Sequence, residues 1–130
     1  MNLQEHLARQ IAFSRSTFGP GERTEGVSDH IRKELMEVKA GYQPEYRAQE
    51  WVDVAILGLD GLWRALAIAY PCLSDAELAA KACEWIEAKQ TKNEGRSWPD
   101  WRTASQDKAI EHVRIDRMAE TYLSKERGNF

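Results

Sequence analysis

Apolar residues recur every three or four positions along most of this chain, and almost no segment alternates apolar with polar residues over the length of a strand. The pattern predicts an all-α protein. Leu3, Leu7 and Ile11 define one stripe, so a first helix is expected from Leu3 to about Ser14. The segment Phe18-Gly-Pro-Gly-Glu-Arg-Thr-Glu-Gly26 reads as a loop, because glycine and proline both disfavour helix. Ser28 or Asp29 can cap a second helix running to about Ala40, with Ile31, Leu35 and Val38 as its stripe. Gly41 and Pro44 punctuate a short connection. A third helix is expected from about Tyr46 to Tyr70, where Pro71 stops it. It is apolar on most sides, as a central element would be. Ser74 and Glu77 form a capping-box signature for a fourth helix reaching about Asn93. Trp98-Pro-Asp-Trp101 breaks the pattern. A last amphipathic stretch brings Ile110, Val113, Arg117, Met118 and Tyr122 near one another, and residues after Ser124 are expected to fray.

Short connections favour antiparallel neighbours, so the expected fold is a four- to five-helix bundle. A length of 130 residues suits a single domain, 1–130, with 103–130 as a C-terminal helical extension. A hydrophobic fraction of 42% and a charged fraction of 30% fit a globular chain rather than a disordered one. The formal charge is -3 and the basic residues are scattered, which argues against nucleic acid or an anionic membrane as a partner. The apolar run Val54 to Tyr70 contains Asp60 and Arg64, with Asp53 just ahead, and reads as a buried helix rather than a membrane span. Met1 to Gln10 is mixed polar and has no apolar targeting stretch. Cys72 and Cys83 lack metal-type spacing and read as reduced thiols, so a cytoplasmic location is expected.

Four carboxylates carry the candidate chemistry. Glu34 and Glu37 lie in His30-Ile-Arg-Lys-Glu-Leu-Met-Glu-Val38, and Glu50 and Asp53 in Glu50-Trp-Val-Asp-Val-Ala-Ile-Leu57. An i, i+3 spacing puts both acids of a pair on one helix face. Two such faces turned together form an oxygen-rich pocket for a hard divalent cation. A lone Glu-x-x-Glu is common on solvated faces, and Glu50 also suits a helix N-terminus, where the macrodipole favours an acid. Asp53 is harder to place that way. It stands between Val52 and Val54 on a helix expected to be buried, where an unpartnered carboxylate is costly. Asp60, two turns on, is either an outer group of the same pocket or the partner of Arg64 at i+4. A di-iron centre would use Glu-x-x-His. Leu3, Val27 and Ala109 stand three residues before His6, His30 and His112, so that signature is absent, and a His-rich zinc site is equally unsupported.

Lys89, Lys92, Asn93 and Arg96 fall at helical spacing near a helix C-terminus. They either complement the dipole or form a phosphate clamp. Gly21 and Gly26 have the spacing of a phosphate-binding loop, but Val27 follows where lysine is required. Phe18 could stack on a base or plug the core, and Trp98 could wall a pocket or pack onto the bundle.

Together the order and spacing of these residues resemble a known family. Glu34-x-x-Glu37, Glu50-x-x-Asp53 and Lys89-x-x-x-Asn93-x-x-Arg96 are similar to the all-α nucleoside triphosphate pyrophosphohydrolases of MazG type. Thr17-Phe-Gly-Pro-Gly21, Asp29-His-Ile-Arg-Lys-Glu-Leu35, Asp60-Gly-Leu-Trp-Arg64 and Lys92-Asn-Glu-Gly-Arg-Ser-Trp-Pro-Asp-Trp-Arg102 resemble its dATP/dGTP diphosphohydrolase, MazZ-like branch, frequent in phage and prophage genomes. The resemblance implies a MazG-like bundle in which the four acids hold two or three Mg2+ or Mn2+ ions. It places Lys89, Asn93 and Arg96 on the triphosphate, with Lys92 a neighbour; Phe18 and Trp98 are candidate base contacts on the chemistry of their rings alone. It implies a nucleoside triphosphate diphosphatase releasing pyrophosphate and a nucleoside monophosphate, assembled as a homodimer or homotetramer in the cytoplasm of a bacterial or phage-infected cell. The competing expectation is a helical interaction or regulatory module that keeps the bundle without activity.

Overall fold

The computed structural model describes residues 1–114. Four α-helices follow in order, α1 (Leu3–Phe18), α2 (Thr24–Ala40), α3 (Pro44–Ala69) and α4 (Asp75–Glu94), then a single 3-10 turn at Trp101–Thr103. No strand occurs among the described residues, and the fold is all-α as expected. Nor is any helix among them long and apolar enough to cross a membrane. The backbone forms two compact units, the first from Met1 to Glu84 and the second from Trp85 onward.

Local chemistry sets the helix boundaries in the first unit. Asn2 and Glu5 close a capping box at the start of α1: Asn2 Oδ1 accepts from the Glu5 N–H at 2.8 Å, and Glu5 Oε2 accepts from the Asn2 N–H at 3.2 Å. The helix runs one turn beyond Ser14. It ends only where Gly19 takes φ 86, a conformation that side-chain-bearing residues disfavour. Gly21 repeats that φ, so Gly19–Arg23 is the true loop. α2 therefore starts a turn ahead of Ser28 and Asp29. Arg23 precedes it without a side-chain cap, and Asp29 instead pairs on the surface with Arg32 at 2.9 Å and Lys33 at 3.5 Å. Pro44 opens α3, where a missing N–H is harmless. At α4 the expected box is present: the Ser74 N–H donates to Glu77 Oε1 at 3.1 Å, and the Glu77 N–H to Ser74 Oγ at 3.2 Å.

α3 packs against both α2 and α1. The apolar core takes Leu7 and Ile11 from α1, Val27 and Val38 from α2, Trp63 and Leu66 from α3, and Leu78, Ala79 and Ala82 from α4. Leu3 is not part of it, being 43% exposed at the helix end. The second half of α3 fits its expected central place, but the first half does not. Trp51 is 53% and Val52 55% exposed, so apolar composition there does not mean burial within the chain.

One polar network lies inside this core. Asp60 and Arg64 pair at i+4 with Arg64 Nε 3.1 Å from Asp60 Oδ2, resolving the two expected roles of Asp60 in favour of the ion pair. Trp63 Nε1 donates to Asp60 Oδ1 at 2.7 Å. Arg64 Nη1 donates to the Gly21 carbonyl at 2.7 Å and Nη2 to Ser14 Oγ at 2.9 Å. Both the Arg64 and Arg15 guanidiniums lie over the Trp63 ring, at 4.6 and 4.8 Å from its centroid. The buried pair thus anchors the glycine loop to α1 and α3.

In the second unit, Trp98 Nε1 donates to the Asn93 carbonyl at 2.7 Å, and its ring meets His112 edge-on at 5.9 Å. Asp100 caps the 3-10 turn through the Arg102 N–H at 3.0 Å. The Val113 N–H donates to the Ser97 carbonyl at 2.7 Å. Residues 104–114 contain no helix. Arg117, Met118, Tyr122 and the rest of the expected extension lie outside the described residues.

Candidate metal centre

The packing of α2 on α3 turns the two acidic pairs toward each other. Glu34, Glu50 and Asp53 each offer a carboxylate oxygen, and these oxygens lie within 4.8 Å of one another. Glu37 also reaches Glu50, by hydrogen bonding and by charge. All four expected acids therefore converge, although Glu37 is not one of the three tightest. Glu34 and Glu50 are half-buried, whereas Glu37 and Asp53 are exposed. This corrects the expectation that Asp53 would be the acid with the most apolar surroundings. It follows from the uncovered first half of α3, which leaves Trp51 and Val52 open beside it.

The tension falls on Glu50. Hydrogen bonding with Glu34, then with Glu37, followed by loss of solvent and repulsion from both neighbours, pushes its carboxyl from 4.5 up to about 7. The cause is the crowding of like charges, each of which opposes the ionisation of its neighbour. Two buried oxygens, Glu34 Oε2 and Glu50 Oε2, have no hydrogen-bond partner among the described residues. Such atoms are rare in native proteins and call for a missing partner, here an ion or water. An all-oxygen donor set of this charge suits a hard divalent cation such as Mg2+ or Mn2+. The residues present fit that group. His30 flanks the site, its Nε2 lying 3.4 Å from Glu34 Oε1.

Lys89, Lys92, Asn93 and Arg96 belong to the second unit. Lys89 is exposed and the other three are half-buried. Arg96 Nη1 donates to Asn93 Oδ1 at 3.2 Å. The two candidate base contacts also fall in different units. Trp98 is 45% exposed and held by the Asn93 carbonyl. Phe18 is 46% exposed, so it neither plugs the core nor stands free. It packs edge-on against Phe13 with ring centroids 6.3 Å apart.

Phe18 lines a small open cleft of about 80 Å3 between α1, the start of α2 and the middle of α3. Arg23, Gly26, His30 and Asp60 line it too. Arg23 was not singled out from sequence, because it lies inside what read as a plain loop. Its only local signal is Gly26, three residues on, which leaves space under the guanidinium.

No curated protein and no solved structure matches the chain. The sequence does match a family along residues 6–116, nearly the whole of its described length, and that stretch includes both acidic pairs and the Lys/Asn/Arg cluster. With that match, the chain belongs to the dATP/dGTP pyrophosphohydrolase family.

Proposed function

We propose that this protein is a Mg2+- or Mn2+-dependent nucleoside triphosphate diphosphatase that converts purine deoxynucleoside triphosphates, dATP or dGTP, to the monophosphate and pyrophosphate. The observation that carries this reading is the convergence of Glu34, Glu50 and Asp53 around two buried carboxylate oxygens with no partner. Divalent ions held by these residues with Glu37, two or three in number, would neutralise phosphate charge and lower the pKa of an attacking water.

The chain's own residues supply placement and charge. Phosphoryl-type transfer needs alignment and electrostatic stabilisation more than covalent help. Glu34 and Glu50 come from different helices, so the α2–α3 packing fixes the donor geometry. A bound cation would hold Glu50 as the carboxylate, since positive charge favours the ionised form. Lys89, Lys92, Asn93 and Arg96 are the proposed contacts to the triphosphate, a role supported by their spacing and by the resemblance.

The uncovered apolar side chains Met36, Tyr42, Tyr46, Trp51 and Val52, around the α2–α3 connection, support a homodimer or homotetramer, which we place in the cytoplasm on the strength of the resemblance alone. Light scattering after size exclusion tests the assembly. The activity is tested by incubating the protein with each of the four dNTPs and Mg2+ or Mn2+, then separating products by anion exchange. A deoxynucleoside monophosphate with equimolar pyrophosphate is the expected outcome. A diphosphate with orthophosphate, or no product with either metal, refutes it, and the latter would favour the inactive interaction module.

A further inference from the structure

Resting on the divalent-cation part of the reading above, we propose that His30 is a positioning residue for the metal centre. It pins one oxygen of Glu34 from the edge of the cluster, so that the other, buried oxygen is presented to the ion.

The geometry begins with the helix. Side chains of an α-helix lean toward its N-terminus, so Glu34 lies over the turn of α2 that carries His30. The neighbours of Glu34 at helical spacing are His30, Ile31, Glu37 and Val38. Ile31 and Val38 are apolar, and Glu37 is an acid like Glu34 itself, so only His30 brings a nitrogen donor. Across the cluster stand two more acids, Glu50 and Asp53. His30 Nε2 lies 3.4 Å from Glu34 Oε1, an ion-pair contact slightly longer than a well-formed hydrogen bond. A carboxylate in front of Nε2 selects the form of the ring that carries a proton on that nitrogen.

The two oxygens of Glu34 therefore have different surroundings. Oε1 faces the half-exposed imidazole, while the Glu34 side chain itself is only 14% exposed. Oε2 is buried and has no hydrogen-bond partner among the described residues. The last torsion of a glutamate is broad, so holding one oxygen decides where the other points. His30 stands outside the ligating group, whose oxygens come from Glu34, Glu50 and Asp53. Its effect on the ion would pass through Glu34, as for the groups that orient ligands in other metal sites.

Charge and positioning predict opposite signs. A protonated imidazole beside a cation repels it, and a neutral one has no net charge, so through charge alone the loss of His30 would tighten Mn2+ binding or leave it unchanged. Through positioning the same loss weakens binding.

The test is calorimetric titration of Mn2+ into the full chain without nucleotide, at one fixed pH, with the metal-free melting temperature of each variant recorded alongside. His30→Phe keeps a ring and removes the donor, His30→Ala repeats the loss without added bulk, and His30→Gln restores an N–H donor. His30→Phe and His30→Ala are expected to weaken Mn2+ binding about 10-fold or more, with His30→Gln within about 3-fold of wild type, as for loss and restoration of a ligand-orienting contact. The metal-free melting temperatures should stay close to wild type, because the contact is half-exposed. Electron spin echo spectra of bound Mn2+ should show no directly coordinated nitrogen. Tighter or unchanged binding by His30→Phe and His30→Ala, a loss in His30→Gln as large as theirs, or a nitrogen bound to Mn2+ overturns the proposal and leaves the metal reading standing. Failure of wild type to bind Mn2+ at all removes the metal reading and this proposal with it. Absence of dNTP turnover, by contrast, bears on neither the titration nor its outcome.

Discussion

Replacing Arg64 by methionine should be among the most destabilising single changes in the first unit. The side chain is 2% exposed and makes three hydrogen bonds, to Asp60, to the Gly21 carbonyl and to Ser14. Methionine keeps the aliphatic length and contact with Trp63 but leaves Asp60 as a buried charge without its cation. Breaking a buried pair on one side costs about 3–5 kcal/mol. With a urea m-value of about 1.5 kcal/mol/M, the midpoint should fall by about 2–3 M. Urea titration at pH 7, followed by circular dichroism and tryptophan fluorescence, measures it. The double variant Asp60→Asn, Arg64→Met removes both charges and should recover much of the loss, because the desolvation penalty disappears with the pair. As a control, Arg32→Ala removes the exposed pair with Asp29 and a weak surface contact with Met36 Sδ, and should change stability by less than about 1 kcal/mol. A loss below about 1 kcal/mol for Arg64→Met, or a double variant worse than the two singles added, would refute the reasoning.

Further expectations follow from the same chemistry. Burial alone raises the Asp60 carboxyl, but hydrogen bonds from Ser14, Trp63 and Arg64, with the Arg64 charge, outweigh it and hold the group below 3.8. Its contribution to stability is therefore complete above that value and lost as pH falls through the lower folded pKa, and acid titration of Asp60→Asn should lack that loss. Glu50 has the opposite sign: its folded carboxyl is raised from 4.5 to about 7, so the metal-free protein should lose stability as pH rises through that window, while Glu50→Gln should not. Mn2+ at 100 times its dissociation constant should add about 2.7 kcal/mol of stability by mass action, seen as a higher melting temperature. Glu34→Gln should abolish that rise. Ser74→Ala opens the capping box of α4 and should cost about 1 kcal/mol by urea titration.

Much of this was legible in the sequence, for reasons that differ from residue to residue. The helices were readable because their apolar positions keep helical period and because Ser74 and Glu77 announce a helix start in local chemistry alone. The four acids were readable because i, i+3 spacing fixes a face before any tertiary contact forms. The α1–α2 boundary was misplaced because Gly26 tolerates helix as well as loop, and only the φ of Gly19 and Gly21 marks where the turn lies. Asp53 was misjudged because apolar neighbours in sequence need not be buried in the same chain, as the exposure of Trp51 and Val52 demonstrates. The cleft was not visible at all, since Phe13, Arg23, His30 and Asp60 come together only when three helices pack.

Glu50, rather than Asp53, stands at the centre of the acidic cluster, because both Glu34 and Glu37 act on it and one of its oxygens is buried without a partner. The most direct measurement is thus pyrophosphate release from dATP and dGTP with Mg2+ or Mn2+ by wild type and by Glu50→Gln, with the metal-free melting temperature of each recorded alongside. Turnover by wild type, its loss by at least about 100-fold in Glu50→Gln, and an equal or higher metal-free melting temperature for the variant are expected. Undiminished, metal-independent release by Glu50→Gln would contradict the assignment of the four carboxylates as the reacting centre.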